Sequence, residues 1–324
     1  MKKILVTGAT GFVGGAVMDE LLRLGMPIIA GVRKQTANLA DAVQQVVIGD
    51  LSVLEETSFA LKRSLFKGVD IVVHTAARVH VMNDDAIDPL EAFRKVNRDA
   101  TLVLARMAAE SGVKRFVFLS SIKVNGEMTR PGHSFSHDDA SVPTDPYGLS
   151  KYEAEQGLLA LALETGMEVV IIRPPLVYGP GVKANFASMM KWMGKRIPLP
   201  FGAIHNQRSL VALDNLVDFI ALCADREISP QAANQVFLIS DNEDVSTTQL
   251  LRKVAKAQNN QAWLIPVPVG LMAFVAKLIG KEDVANRLFG SLQVDSSKAR
   301  DLLGWKPVVR MDEQLEKIAK EDNS

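Results

Sequence analysis

The chain has 324 residues, 48% of them hydrophobic and 23% charged, which supplies a core for one large α/β unit or two closely joined ones and excludes a disordered chain. Lys plus Arg and Asp plus Glu both number 37, so no net field recruits nucleic acid or inserts the protein into an anionic membrane. A single cysteine, Cys223, excludes an intrachain disulfide and fits a reducing, cytoplasmic setting. Met1-Lys2-Lys3-Ile4-Leu5-Val6 has the basic start of a leader, but its apolar run is broken at once by Thr7-Gly8-Ala9-Thr10-Gly11, so it reads as a strand. No run of about 18 apolar residues reads as a membrane span. The most apolar stretch, Val267 to Ile279, is short and carries Lys277, and it reads as an amphipathic helix packed on the protein. No metal site is expected.

Lys2 to Thr7 suits a buried parallel strand. Gly8, Gly11 and Gly14 follow at three-residue spacing, and a helix is predicted from about Phe12 to Leu24, ended by Gly25. A strand, a glycine turn and a helix form the setting of a dinucleotide site, because small residues let the backbone approach a pyrophosphate at the helix N-terminus. Ile28 to Val32 is a second strand, and Arg33 and Lys34 follow it, 19 and 20 positions after Gly14. An acid there would bind the 2′-hydroxyl of NAD, whereas Arg33 suits the 2′-phosphate of NADP(H), the preferred cofactor; NAD(H) is the alternative, with the pair then an ordinary exposed one.

Val46 to Leu51 is a third strand, whose Asp50 either accepts from an adenine amino group or caps the next helix. Val69 to His74 is a fourth, followed by the small residues Thr75-Ala76-Ala77, with His74 read as packed at the strand end. One long helix is predicted from Ile87 to Gly112, and a fifth strand from Lys114 to Ser121. Serines at the carboxyl edge of a parallel strand sit in the ligand crevice, or merely cap the strand end. This alternation predicts a Rossmann-type α/β fold, a doubly wound parallel sheet.

Asp145 is a good N-cap and Pro146 a good first helical residue, so a helix begins there. Tyr147 and Lys151 then lie at i and i+4 on one face. A phenol ordinarily titrates near pH 10, and an ammonium and the positive end of a helix both favour its ionised form. The expectation is an acid/base tyrosine usable near neutral pH; the plain alternative is a surface helix carrying both residues. After a sixth strand, Met167 to Arg173, Pro174-Pro175 breaks the pattern. It divides a dinucleotide-binding unit, 1–173, from a smaller, mainly substrate-binding C-terminal α/β unit, 174–324. The chain returns to the first unit near 208–225, through a strand at Leu210 to Asp214. Asn185 opens a helix that ends near Met193, Val236 to Ser240 is a strand, and Ser246-Thr247-Thr248 looks like a cap.

The glycine turn, Asp50, Thr75-Ala76-Ala77, Asn97, Ser120-Ser121 and Tyr147 with Lys151 stand in the order found in the extended short-chain dehydrogenase/reductases. So do Arg173-Pro174, Val177-Tyr178-Gly179-Pro180, Arg208 with Asp214, and Asp295 through Lys298 to Gly304-Trp305. Over residues 3 to 307 the chain resembles the NAD-dependent epimerase/dehydratase family acting on nucleotide sugars. The resemblance implies that Tyr147 is the catalytic acid/base, that Lys151 holds the nicotinamide ribose and lowers the phenol pKa, and that Ser121 bonds the reacting oxygen. It implies cofactor contacts from Gly8, Thr10, Gly11, Phe12, Val13, Gly14, Arg33, Asp50, Leu51, Ala76, Ala77, Asn97, Lys151 and Pro174. Substrate contacts would come from Ser121, Lys123, Asn185 and Arg208, the last pairing with the diphosphate of a UDP-sugar. Asn185 could equally be a helix cap, and Arg208 part of a salt bridge.

The departures are Leu176 where the family often has Asn, Asn125 where it often has Tyr, and no Asp-Glu pair after Ser121, which weakens a dehydratase reading. Ala76 to Met82, Ser121 to Gly126 and Gly179 to Phe186 are similar to one subgroup. Its reductases convert UDP-4-keto-6-deoxy-N-acetylglucosamine to UDP-N-acetylquinovosamine for bacterial surface polysaccharide such as lipopolysaccharide. A UDP-glucose or UDP-N-acetylglucosamine 4-epimerase with bound NAD is the alternative; a non-enzymatic NADP sensor has no need of Ser121, Tyr147 and Lys151. The resemblance also implies a homodimer, paired through the helices predicted at 87–112 and 147–165.

Overall fold

Strands of Val, Ile and Leu with helical segments between them have to be covered on both faces, and the chain folds that way. The computed structural model describes residues 2–37, 39, 43–56, 65–79, 88–139, 141–182, 184–195 and 197–321. Among these, the strands are Lys3–Thr7 (β1), Ile28–Val32 (β2), Gln44–Val47 (β3), Val69–His74 (β4), Arg115–Leu119 (β5), Glu168–Arg173 (β6), Leu176–Tyr178 (β7), Leu210–Ala212 (β8) and Gln235–Leu238 (β9). The helices are Phe12–Arg23 (α1), Pro89–Arg94 (α2), Ala100–Glu110 (α3), Pro146–Thr165 (α4), Ala184–Gly194 (α5), Leu213–Ala224 (α6), Thr247–Ala257 (α7), Val269–Leu278 (α8), Glu282–Phe289 (α9), Ser297–Leu303 (α10) and Met311–Glu321 (α11).

Seven strands form one parallel sheet in the order β3-β2-β1-β4-β5-β6-β9, and β7 pairs with β8 apart from it. This is the Rossmann-like α/β fold. The strand order reverses between β1 and β4, and a crevice opens at their carboxyl ends. Alternate residues feed two cores. Ile4, Val6, Val73 and Val117 pack under α1 and α6; Leu5, Val72, Phe116 and Phe118 pack under α3 and α4. A third core, around Tyr178, Phe186, Met190 and Leu250, joins β7 and β8 to α5, α7 and α11.

Three expectations are corrected. The long helix predicted from Ile87 to Gly112 is α2 and α3, joined by a π-helical turn over Lys95–Asp99; Ile87 lies outside the described residues. The strand at Leu210 to Asp214 ends at Ala212 and joins β7, not the main sheet, because Leu213 already begins α6; the return to the main sheet is made by α6 against α1 and by β9 beside β6. Val269–Leu278 is helical as predicted but not packed in, with no buried residue.

Candidate active site

The glycine turn sits at the switch point. Gly8 has φ +73°, and its carbonyl accepts from Gly11 N at 2.8 Å. A Cβ on Gly14 would lie 2.0 Å from that carbonyl and 2.6 Å from Thr75 Oγ1, so only glycine lets the first turn of α1 lie against the end of β4. Thr75 Oγ1 donates to Thr7 O at 2.7 Å and locks β4 to β1. α1 begins at Gly11 with no side-chain cap, whereas α2, α4 and α7 are capped by Asp88, Asp145 and Ser246. Uncapped amides and the positive end of a helix suit a phosphate, so these residues fit a dinucleotide. Arg33 and Lys34 are exposed beyond β2. Asp50 accepts from Ser52 N at 2.9 Å, capping the short helical turn over Leu51–Glu56, and this bond holds its carboxyl below the usual carboxylate range.

His74 is buried between Thr7 Oγ1 and Thr101 Oγ1, at 2.6 and 3.0 Å, and stacks on Phe118; burial first, and then Lys151, push it down to about 3. It is a packed neutral imidazole. Asn97, buried in the π-helical turn, accepts from Arg78 N at 2.9 Å and donates to Arg78 O and Ser150 Oγ at 3.0 and 3.1 Å. It ties the segment after β4 to α4.

α4 starts as predicted: Asp145 accepts from Gly148 N at 2.7 Å. Gly148 is required because a Cβ there would meet Lys123 O at 2.7 Å. That close approach brings Tyr147 beside Ser121, whose hydroxyl favours the ionised phenol, while the edge of Phe93 packs on the ring 5.8 Å away. Lys123 Nζ pairs with Asp145 at 3.2 Å and Glu127 at 2.9 Å. Lys151 is buried; its Nζ donates to Leu119 O at 2.9 Å and lies 4.4 Å over the Phe118 ring.

The electrostatics run against the expectation of a lowered phenol pKa. Burial pushes Tyr147 up to about 12, with the Ser121 hydroxyl opposing it and Asp145 adding to it. Burial also pushes Lys151 down to about 7, partly offset by Glu155. A buried pair of groups shifts toward its neutral forms, so Tyr147 rests as a proton donor.

Below this site lies a network that the motifs did not reveal. Glu155, one turn beyond Lys151, accepts from Ser120 Oγ at 2.5 Å and from Arg173 Nη2 at 2.6 Å. Arg173 Nη1 donates to Asn125 Oδ1 at 3.0 Å, and Asn125 Nδ2 donates to Ser136 O at 2.6 Å. Of the two adjacent serines, Ser120 thus serves this network and Ser121 faces Tyr147. The i+4 spacing from Lys151 to Glu155 is the one signal in the sequence that could have found it.

The second half is less convergent. Arg208 Nη1 donates to Arg287 O at 2.8 Å and Gly290 O at 3.1 Å, closing the C-terminal end of α9. Asp214 pairs with Lys317 and Gln314 of α11, and Arg208 is not among its partners. Asn185 lies in the first turn of α5, but its side chain, like Lys183 and His80 to Met82, lies outside the described residues. Pro174, beyond β6, accepts from Ile122 N at 3.0 Å and holds the Ser121 segment against the sheet.

A parallel sheet with a glycine-turn crevice, and a Tyr/Lys/Ser cluster beside it with Lys151 buried and Tyr147 and Ser121 half-buried, define a dinucleotide-dependent enzyme. The chain belongs to the NAD dependent epimerase/dehydratase family, whose model matches residues 4–237. It is 48% identical over 319 residues to a UDP-glucose 4-epimerase of Vibrio cholerae, covering 98% of this chain and 94% of that protein. The UDP-glucose 4-epimerase of Thermotoga maritima, solved with UDP-glucose, superimposes with a TM-score of 0.76 at 24% identity, covering 99% of this chain and 98% of that one. A short-chain dehydrogenase/reductase superfamily protein of Agrobacterium tumefaciens with bound NAD gives 0.76 at 21% identity, covering 99% and 97%.

Proposed function

We propose that the protein is a UDP-sugar 4-epimerase that keeps NAD bound through its cycle. The observation that carries this reading is the 48% identity to the Vibrio cholerae enzyme across 98% of the chain. The placement of Ser121 beside the Tyr147 phenol is its chemical counterpart. The nicotinamide supplies the place where a hydride from C4 is lodged and from which it is returned. Tyr147 moves the proton of the C4 oxygen, and Ser121 bonds the same oxygen as charge develops on it. Lys151, fixed by Leu119 O, holds the ribose beside the phenol. Asn97 secures Ser150 and Arg78 around it. Arg208 and Asn185 take the diphosphate, and Lys123 the sugar. The test is to incubate the protein with UDP-glucose or UDP-N-acetylglucosamine and no added cofactor, and to follow the C4 epimer by NMR. Interconversion is expected; its absence would sink the reading. Tyr147→Phe should lower kcat by about a thousandfold while bound NAD is retained.

A second reading is reduction of UDP-4-keto-6-deoxy-N-acetylglucosamine by NADPH, toward bacterial surface polysaccharide. Two observations favour it: the exposed Arg33-Lys34 pair, and a phenol held protonated, which suits a reaction that needs an acid first. Loss of NADPH absorbance that depends on the ketosugar would select it; tightly bound NAD in the purified protein would count against it. A cytoplasmic homodimer is a further part of the proposal, read by analytical ultracentrifugation.

A further inference from the structure

Helix α8 presents its apolar side to solvent. Leu271, Phe274, Val275 and Leu278 stand at i, i+3, i+4 and i+7, which is one helical face, and they are 55, 60, 47 and 70% exposed. Their own fold does not require this stripe. The α8–α9 hairpin is seated by polar bonds at its far end: Arg208 Nη1 to Arg287 O and Gly290 O, Asn206 Nδ2 to Leu288 O and Gly290 O, and Thr247 Oγ1 to Leu288 O. The chain entering α8 continues the patch with Trp263 and Ile265, 63 and 45% exposed. It runs beside the segment after α5, where Leu199 N donates to Trp263 O at 2.9 Å.

The charge around this patch departs from the rest of the chain. The chain as a whole is balanced, yet residues 191–200 and 261–290 together carry six Lys or Arg and two Asp or Glu, Glu282 and Asp283. Lys191, Lys195, Lys277, Lys281 and Arg287 are all exposed. An apolar stripe with a tryptophan, rimmed by bases, matches a surface that is apolar beneath and anionic above. A second copy of this chain would meet the same bases with bases. We propose that α8 and the Trp263 strand seat the protein on an anionic phospholipid membrane, lying in the interface and not crossing it. This seating is independent of the reaction catalysed.

Co-sedimentation with sucrose-loaded vesicles tests the proposal. With equimolar phosphatidylglycerol and phosphatidylcholine the full-length protein should pellet, at least about tenfold more than with phosphatidylcholine alone, and less as salt rises. Phe274→Ser with Leu278→Ser should lower binding by about tenfold, with turnover of a soluble substrate unchanged. Should that variant misfold, brominated-lipid quenching of tryptophan fluorescence in Trp192→Phe, whose one exposed tryptophan is Trp263, gives an independent reading, and quenching is expected. Failure to pellet with the anionic vesicles, or equal pelleting of a folded double variant, overturns the proposal. A dimer that the variant dissociates, with no vesicle binding, assigns the face to a second copy and overturns it as well.

Discussion

Lys151 carries its ammonium where burial works against the charge, and this has a measurable sign. Its folded pKa is pushed down to about 7, against 10.5 in the unfolded chain. Between those values the unfolded chain binds the extra proton, so this group's contribution to stability is fully present above about 10.5 and is lost as pH falls to about 7. Lys151→Met should therefore show a flatter rise of unfolding free energy from pH 7 to 9.5 than the wild type, in urea titrations at several pH values. An equal slope would show that the ammonium is not desolvated. The nearness of Tyr147 and Lys151 was legible from helical spacing, whereas the strand end offered both Ser120 and Ser121 and only the family resemblance singled out Ser121. The direction of the phenol's shift was not. Spacing tells which groups are near, but how much water surrounds them depends on Phe93, Phe118 and the sheet, which come from distant parts of the chain.

At the scale of elements, the glycine turn and the pair formed by α4 and β6 set the site. Gly14→Ala forces a Cβ to within 2.0 Å of Gly8 O. The expected result is loss of cofactor from the purified protein and of about 1–3 kcal/mol in stability, read by bound-nucleotide analysis and chemical unfolding. The Glu155–Arg173 pair, with exposures of 0 and 6%, joins α4 to β6 beneath the reacting groups. Arg173→Met alone should cost about 3–5 kcal/mol because it leaves a buried carboxylate unmatched, whereas Arg173→Met with Glu155→Met should recover much of that. A double variant no more stable than the single would show that the two do not interact. β1, β4, β5, β6 and α4 could be placed from apolar runs and caps. The break at Lys95–Asp99 could not, because Val96-Asn97-Arg98 has ordinary helical composition, and the π turn answers to the bonds Asn97 makes with Arg78 and Ser150.

For the whole molecule, the decisive fact is that the sheet is completed from the C-terminal half. β9 pairs with β6, and α6 covers the Val17, Met18 and Leu21 face of α1. A fragment ending at Arg173 should fail to fold, seen as insolubility or as a far-UV spectrum without native helix; a soluble, cooperatively unfolding fragment would refute this. The doubly wound class could be read from strands alternating with helices. The place of Leu210–Ala212 outside the main sheet could not, since a three-residue apolar run does not announce its partner.

The same crossing bears on how new specificities could arise from this scaffold. The chain passes from the sheet to β7, α5 and β8, comes back for α6 and β9, leaves for α7 to α9, returns with α10 and Trp305 against β9 and α6, and leaves again for α11. Exchange of everything after Pro174 with a relative would carry foreign copies of α6 and β9 into a core they were not selected with. Recombination that keeps residues 213–240 and 297–305 with the first half, and replaces the pieces between them, preserves the parent contacts of the main-sheet core. The lineage is thus better suited to trading loops than halves.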